Sequence, residues 1–286
     1  MTRTDFWLWL ALAWLWGSSF LAIGIGVETL SPAALVALRM AIGTLALVGI
    51  LYASGGSLRL GRRGWRIAGV VGMTGNVIPF LLISYAEQQV DSGLAALIMG
   101  IAPVVTLTLA PLIHPDESVT RTLLLGAALG FSGVAVLVGP EALQGVSGEL
   151  MPRLALVGAA LCYSATALIS RRYPHPEPLQ MAAGSVLAGA LVIGAMAAPG
   201  WDMQEIRASS LWAAVYLGLG PTALAAVIYF HLIPRIGASR LQQVNYVVPV
   251  LGTVLGIIVL GERPGWNSLL AIVMIAGAIW LVTRRR

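Results

Sequence analysis

The sequence has little charge, no lysine and a single cysteine, Cys162. Only 10% of the residues are charged, whereas 58% are hydrophobic and the mean hydropathy is +0.87. A water-soluble domain of this composition would expose an apolar surface, so the composition excludes the soluble classes. One cysteine cannot form an intramolecular disulfide, and no HExxH, GxSxG or P-loop motif is present. We therefore predict an integral membrane protein that is not an enzyme and has no cofactor and no metal site.

Long apolar stretches occupy most of the chain. Ten of them are long enough to cross a bilayer as helices, which takes about 20 residues each. Short links join most of them, so no extramembrane domain is predicted. The expected fold class is an all-α integral membrane protein with ten transmembrane helices. The predicted spans are 6–27, 32–53, 65–86, 92–113, 121–139, 152–170, 178–198, 209–232, 239–260 and 266–283.

The two halves of the chain resemble each other. LRMAIGTLALVG at 38–49 returns as LQMAAGSVLAGA at 179–190, and 79–138 has a looser counterpart in 221–282. Each half contains five predicted spans, and because five is odd the second half enters the bilayer with the opposite orientation. This construction is typical of secondary transporters, so a pathway for a small solute is the leading hypothesis. We predict two inverted five-helix repeats that form one functional unit, residues 1–140 and 141–286.

Arginine is distributed unevenly between alternate links. Thirteen arginines fall on one predicted side of the membrane, three fall on the other, and one, Arg39, lies inside a span. The positive-inside rule places the thirteen, and both termini, in the cytoplasm. Charges that straddle two membrane faces form no continuous patch, so we predict no nucleic-acid partner. We expect a multi-pass protein of the bacterial inner membrane that acts on a small-molecule substrate in the lipid bilayer, without an obligate protein partner.

Helix nine contains the richest polar cluster within a span. Four of its residues follow i, i+3, i+4, i+7 spacing and share one helix face; they are Gln242, Asn245, Tyr246 and Pro249. That face forms either hydrogen bonds between helices or the wall of a substrate cavity, and one face can serve both purposes. Met99 and Pro103 hold the equivalent positions in helix four. A cavity between these helices would have an apolar wall and a hydrogen-bonding wall, which suits a solute with a polar head and an apolar side chain.

Prolines fall inside four predicted spans, where each removes a backbone hydrogen bond and bends its helix; they are Pro79, Pro103, Pro221 and Pro249. Matched kinks in the two halves favour a gating mechanism, although membrane helices also tolerate proline for architectural reasons. Asn76 lies three residues before Pro79. Its amide either bonds a backbone group that the proline frees or faces the cavity.

Arg39 is the only strong charge well inside a span. It either binds a substrate carboxylate or snorkels toward carbonyls and headgroups, and we favour the second interpretation. No aspartate or glutamate lies near the middle of a span. The usual carboxylate for proton or sodium coupling is therefore missing, which favours facilitated or exchange transport.

The order of these motifs resembles the ten-helix drug/metabolite transporter superfamily, and specifically its EamA-type exporters. The resemblance covers essentially the whole chain. It rests on WLWGSSF at 14–20, on the arginine of LRMAIG, and on two copies of a proline-containing helix, a short turn with Glu and a glycine-rich helix. The second copy is the clearer, in GASRLQQVNYVVPVLGTVLGIIVLGERPGWNSLLAIVMIAGAIWLV.

The resemblance implies inward-facing and outward-facing states and a central cavity lined by helices one, three, four, six, eight and nine. Similar proteins export amino acids and other metabolites from bacteria, so we expect an exporter of neutral or aromatic amino acids that works by alternating access. A lipid or drug translocator, or a channel, of the same architecture stays open. Glu117 and Glu262 are expected to be helix-start acids. The implied cavity residues are Trp16, Ser19, Asn76, Phe80, Met99, Pro103, Tyr163, Gln242, Asn245 and Tyr246.

Overall fold

The computed structural model describes residues 2–113, 120–143, 150–173, 177–197, 206–236, 241 and 244–283. Every regular element within those ranges is helical. Seven helices in the described ranges are long and apolar enough to cross a membrane. Three shorter apolar helices coincide with predicted spans five, nine and ten, namely Leu124–Val136, Val247–Leu260 and Trp266–Ala278. The protein is therefore a helical multi-pass membrane protein.

The helices follow one another along the chain with short links. They are α1 (Arg3–Val27), α2 (Pro32–Ala53), α3 (Gly61–Gly72), α4 (Ile78–Ala86), α5 (Ser92–Met99), α6 (Ala102–Ile113), α7 (Arg121–Leu143), α8 (Leu150–Arg172), α9 (Pro178–Ala197), α10 (Ala208–Leu217), α11 (Ala225–Ile236), α12 (Val244–Leu255) and α13 (Trp266–Thr283). Three π-helical segments complete them, Met73–Val77, Gly218–Leu224 and Gly256–Leu260. The first joins α3 to α4, the second joins α10 to α11, and the third extends α12.

The first two helices begin at polar capping residues. Thr2 caps α1, because its hydroxyl accepts from Asp5 N and the Asp5 carboxylate accepts from Thr2 N. Ser31 caps α2, and Pro32 occupies its first turn, where a missing N–H costs nothing. Local sequence thus fixes where these two spans start.

Three of the four prolines lie where helical geometry changes. Pro79 is the second residue of α4, directly after a π-helical segment, and Pro221 lies inside the π-helical segment that precedes α11. Pro103 is the second residue of α6, after a break at residues 100–101 that divides predicted span four. Pro249 lies within α12. Pro221 and Pro249 lack an N–H that a helix interior would use, whereas Pro79 and Pro103 occupy first turns, where that N–H is not needed. A gating role for the four prolines stays a prediction.

The most extensive helix contacts join the two halves of the chain. α7 packs along α13, α2 along α9, α1 along α12, and α4 along α8. The apolar interior includes Leu12, Ile23, Leu35 and Met40, which are almost fully buried. The two halves therefore share one interior.

Links predicted on the same side of the membrane contact each other. On the side that we call the arginine face, defined by the N-terminus and Arg235, Arg235 Nε donates to Asp5 Oδ1 at 2.8 Å. On the opposite side, called the acidic face and defined by the links 28–31, 87–91 and 261–265, Glu28 pairs with Arg207 at 3.1 Å. The helices thus bring each set of links to one end of the molecule.

Candidate substrate site

Arg39 of α2 is the central feature of the candidate site. Its side chain is buried, with 5% of its surface exposed. Its Nε donates to Thr222 Oγ1 at 3.0 Å, and its guanidinium carbon lies 3.6 Å from the centroid of the Phe80 ring. The expectation that Arg39 snorkels is therefore wrong. A cation–π contact and a bond to a hydroxyl hold the guanidinium inside the protein instead.

Close backbone packing brings Thr222 to this arginine. A Cβ added to Gly43 would lie 2.8 Å from Thr222 Cγ2, and one added to Gly218 would lie 2.9 Å from the Arg39 carbonyl oxygen. These glycines let α2 approach the π-helical segment Gly218–Leu224 closely. The partner of Arg39 therefore comes from the opposite half of the chain.

Two predicted cavity residues, Phe80 and Tyr163, lie near Arg39. Phe80 is buried beneath the guanidinium. Tyr163 of α8 packs against the cluster that contains Phe80, and it lies within electrostatic range of Arg39. Asn76 lies one turn before Phe80, in a π-helical segment, and is half-buried. Its amide has no hydrogen-bond partner in the described part of the chain, so the first proposed role for Asn76, bonding a freed backbone group, is not observed there.

Two predicted residues on α1 lie in a separate cluster. Trp16 packs against Tyr229 of α11, with ring centroids 6.0 Å apart. Ser19 donates to the Trp16 carbonyl at 2.7 Å, so its hydroxyl is used within its own helix. Ser18 instead reaches across to α10, where its hydroxyl lies 2.6 Å from that of Tyr216. Sequence reasoning did not select this serine.

Helices α5, α6 and α12 form the other predicted wall. Met99 is buried at the end of α5, and Pro103 is half-buried at the start of α6. A Cβ on Gly100 would lie 3.1 Å from Pro249 Cγ, so the break between α5 and α6 contacts the proline of α12. The expected proximity of the equivalent helices four and nine is therefore observed.

The polar face of helix nine is only partly described. Asn245 is half-buried and makes a polar interaction. Tyr246 lies on α12, but its side chain is outside the described residues, as is all of Gln242. Glu117 also lies outside them. The shared face of these residues stays a prediction.

Two carboxylates at the acidic face are in positions that sequence reasoning missed. Glu262 was expected to start its own helix; its two oxygens instead accept from Ser92 N at 2.7 Å and Gly93 N at 2.9 Å. It therefore caps α5, from the other half of the chain. Glu87 is 8% exposed, and its Oε2 accepts from Ser92 Oγ at 2.6 Å. Gly256 makes room for the Glu262 carboxylate, because a Cβ at this position would collide with Glu262 Oε2.

The described residues offer no cluster of three or more His, Cys, Asp or Glu side chains that could hold a metal ion. The polar groups of uncharged side chains placed near Arg39 are a hydroxyl and a phenol, on Thr222 and Tyr163. Such groups suit reversible recognition of an organic solute better than tight ion ligation.

Comparison with known proteins identifies the family. A probable terminal-alkyne amino-acid exporter of Streptantibioticus cattleyicolor is 28% identical over 278 residues, which cover 94% of this chain and 90% of that protein. The uncharacterized inner membrane transporter YedA of Escherichia coli K12 is 27% identical, over 96% of this chain and 88% of the relative. A solved crystal structure shares the fold over 100% of both chains, with a TM-score of 0.71 and 24% identity. The sequence model of the EamA-like transporter family matches residues 3–139 and again residues 151–284. The chain therefore belongs to the EamA-like transporter family.

Proposed function

We propose that this protein exports small zwitterionic metabolites, in the first instance neutral and aromatic amino acids, across the bacterial inner membrane. The substrate moves through a central cavity between two inverted five-helix repeats, residues 1–140 and 141–286, by alternating access. Both termini lie in the cytoplasm, in accord with the arginine bias of the links.

The observation that carries the proposal is the environment of Arg39. A buried guanidinium needs a partner for its charge, and a planar fork of N–H donors matches a carboxylate. Within the described residues Arg39 forms no ion pair; its polar contact is the neutral hydroxyl of Thr222. We infer that the carboxylate of the substrate supplies the missing partner.

The surroundings of Arg39 suit the rest of an amino acid. Phe80 presents an aromatic ring, and Tyr163 adds a second aromatic side chain with a polar tip. Asn76, one turn before Phe80, supplies an amide for the ammonium group. The 28% identical relative is named as a probable amino-acid exporter, which supports the same substrate class here.

The pairing of helices supports the inverted repeats. The packing of α1 on α10 and α11 has a counterpart in that of α8 on α3 and α4, and α9 packs on α3 as α2 packs on α10 and the segment Gly218–Leu224. The third and eighth predicted spans each contain a π-helical segment next to a proline. The family model also matches each half separately. Two-fold related contacts of this kind are expected when one repeat rocks against the other.

Counterflow in proteoliposomes tests the proposal. Vesicles are preloaded with unlabelled phenylalanine, alanine or threonine, and entry of the labelled amino acid is followed with no ion gradient imposed. We expect transient accumulation of label. Unlabelled phenylalanine should compete with it, whereas phenylalanine methyl ester, which lacks the carboxylate, should compete at least tenfold less well, because a hydrogen bond to a charged group contributes about 1.5–3 kcal/mol.

Three outcomes would contradict parts of the proposal. Equal competition by the ester would remove the carboxylate from recognition. Uptake that requires a pH or sodium gradient even for exchange would contradict the ion-independent exchange predicted from the absence of carboxylates inside the spans. Absence of any amino-acid movement would overturn the substrate class and favour a lipid or drug cargo.

A further inference from the structure

Glu87 is the most unusual ionisable group at the acidic face. It lies just after α4, between two spans, and only 8% of its surface is exposed. Its Oε1 has no hydrogen-bond partner among the described residues, whereas its Oε2 contacts Ser92 Oγ. A buried carboxylate with an unpaired oxygen is costly, and the usual resolution is that the group binds a proton.

The hydrogen bonds of Ser92 fit a protonated Glu87. Ser92 Oγ lies 2.6 Å from Glu87 Oε2 and 3.2 Å from the Phe20 carbonyl oxygen. A hydroxyl carries one hydrogen, so it cannot donate to both acceptors at once. Both bonds form together when Glu87 donates its own proton to Ser92 and Ser92 donates to Phe20. When Glu87 loses that proton, the Ser92 hydroxyl donates to Glu87 instead, and the Phe20 carbonyl oxygen loses its hydrogen bond from Ser92.

The neighbouring carboxylate, Glu262, has more backbone hydrogen-bond donors than Glu87. Glu262 accepts two backbone N–H bonds, from Ser92 and Gly93, at the N-terminus of α5. These bonds favour its ionised form, although burial raises its pKa. Burial raises the pKa of Glu87 well above its usual range, and the charge of Glu262 raises it further. Of the two carboxyl groups, Glu87 is therefore the one that takes up a proton first.

The charged groups around Glu87 and Glu262 affect how strongly Glu87 holds its proton. Glu262 and Arg39 both act electrostatically on Glu87, the first disfavouring and the second favouring its ionised form. From α1, Glu87 meets the backbone near Gly24, where an added Cβ would lie 3.4 Å from its Oε2. The other charged residues, Asp91, Arg153 and Arg263, line a cleft of about 150 Å³ that also contains Glu262. This cleft adjoins Glu262 at the acidic face.

We propose that Glu87, with Ser92 and the Phe20 carbonyl, is a proton-binding site whose occupancy controls the binding of a carboxylate at Arg39. When Glu87 is ionised, its negative charge offsets that of Arg39 and opposes a second carboxylate. When Glu87 is protonated, Arg39 is left without a compensating charge and binds the substrate carboxylate more tightly. The proton and the carboxylate therefore bind cooperatively, and the coupling is reciprocal.

This inference rests on the proposed function for its second half only. It also supplies a titratable carboxyl group, which the middle of the spans lacks, and its effect on substrate binding does not require that the proton be carried with the substrate. Because Glu87 lies at the end of a span rather than within one, counting acids inside spans does not find it.

Infrared difference spectroscopy tests the proton site without any substrate. Spectra of the purified, reconstituted protein at alkaline and mildly acidic pH are subtracted, and the carbonyl stretch of a protonated carboxyl group is followed. We expect this band to form as the pH falls through a value above the usual range of Glu, and to be lost in Glu87→Gln. The band should persist unchanged in the matched variant Glu28→Gln. In Glu262→Gln it should persist but form at a lower pH, because the charge of Glu262 raises the pKa of Glu87. Persistence in Glu87→Gln would overturn the assignment.

Exchange measured at equal pH on both sides tests the coupling. Protonation occurs as the pH falls, so the half-saturating phenylalanine concentration of the wild type should fall, by about fivefold or more. Glu87→Gln, which mimics the neutral form, should bind at the acidic value at every pH. Glu87→Asp should keep a pH dependence, and Glu28→Gln should match the wild type.

The two tests fail in different ways. If the wild type exchanges no amino acid but shows the Glu87 band, the substrate assignment fails and the proton site stands. If amino acids exchange and their pH dependence is unchanged in Glu87→Gln, the substrate assignment stands and the coupling is overturned.

Discussion

At the scale of single residues, Arg39 shows how far sequence reasoning reaches. Its position inside a span was evident, because it is the one arginine that the link pattern does not account for. Its partners were not, because Phe80 and Thr222 lie 41 and 183 positions away along the chain and meet it only through helix packing. The favoured interpretation, a snorkelling side chain, was wrong for that reason: an isolated helix in lipid offers no alternative to the headgroups, whereas a packed bundle does.

Replacement of Arg39 should separate the contribution of its charge to substrate binding from that of its planar guanidinium. Arg39→Gln should raise the half-saturating phenylalanine concentration about tenfold to a hundredfold, since a hydrogen bond to a charged group contributes about 1.5–3 kcal/mol. Arg39→Lys should recover part of the loss, because it keeps the charge but not the planar fork. Counterflow with reconstituted variants measures both. Equal activity of Arg39→Gln and wild type would remove Arg39 from the substrate site.

Asn245 allows a milder test of the polar wall. Asn245→Ala should reduce exchange about threefold to tenfold, because one neutral hydrogen bond contributes about 0.5–1.5 kcal/mol. Expression and monodispersity in detergent should match the wild type. The control is Ser19→Ala, whose hydroxyl bonds its own helix. Normal exchange in a folded Asn245→Ala protein would assign Asn245 to contacts between helices.

At the scale of helices, the two glycines of one GxxxG motif make different kinds of contact. Gly252 and Gly256 form a GxxxG pair, for which close helix packing is the default explanation. Gly252 fits it, because an added Cβ would lie 2.5 Å from Ala96 Cβ of α5. Gly256 instead makes room for a carboxylate, that of Glu262. Spacing alone cannot distinguish a helix neighbour from a side chain that returns from the following link.

Substitution of Gly256 should therefore affect the start of α5. In Gly256→Ala the new methyl group would displace Glu262 from Ser92 N and Gly93 N, with a loss of about 1–2 kcal/mol of stability, as for a removed helix cap. Thermal unfolding in detergent should show a lower midpoint. Glu262→Gln should cost less, since its amide oxygen still accepts one bond. The matched control is Gly194→Ala, where an added Cβ meets nothing within 4 Å. An unchanged midpoint in Gly256→Ala would show that Glu262 keeps its bonds to Ser92 N and Gly93 N despite the added methyl group.

At the scale of the whole molecule, composition and internal repetition were enough to predict a helical membrane protein, and the family match confirms the resemblance. The predicted span starts at Pro32 and Pro178 agree with the structure because a proline marks each first turn. The division of span four at residues 100–101 was not predicted. Hydropathy is continuous across that break; Pro103 predicts a bend nearby, and Gly100 packs against Pro249 at the break itself.

Alternating access requires that contacts at one face open and close, and a disulfide can hold one of them shut. Thr29 Oγ1 donates to Ser210 Oγ at 2.8 Å across the acidic face, between small side chains that cysteines can replace. In a Cys162→Ala background, Thr29→Cys with Ser210→Cys should lose at least nine-tenths of exchange on oxidation and regain it on reduction, if these links must part. Each single cysteine variant is the control. Full exchange by the oxidised double variant would show that this contact stays closed throughout transport.

The cap on α5 has a consequence for how the protein is made. The chain is synthesised from its N-terminus, so Ser92 and Gly93 are in the membrane well before Glu262 leaves the ribosome. Until then the N–H groups of α5 lack the carboxylate that satisfies them in the finished protein. The N-terminal half is thus incomplete as a free-standing unit, and its maturation waits for the translation of the C-terminal half. A nascent chain truncated before Glu262 would present that unfinished helix end to the quality-control proteases of the membrane.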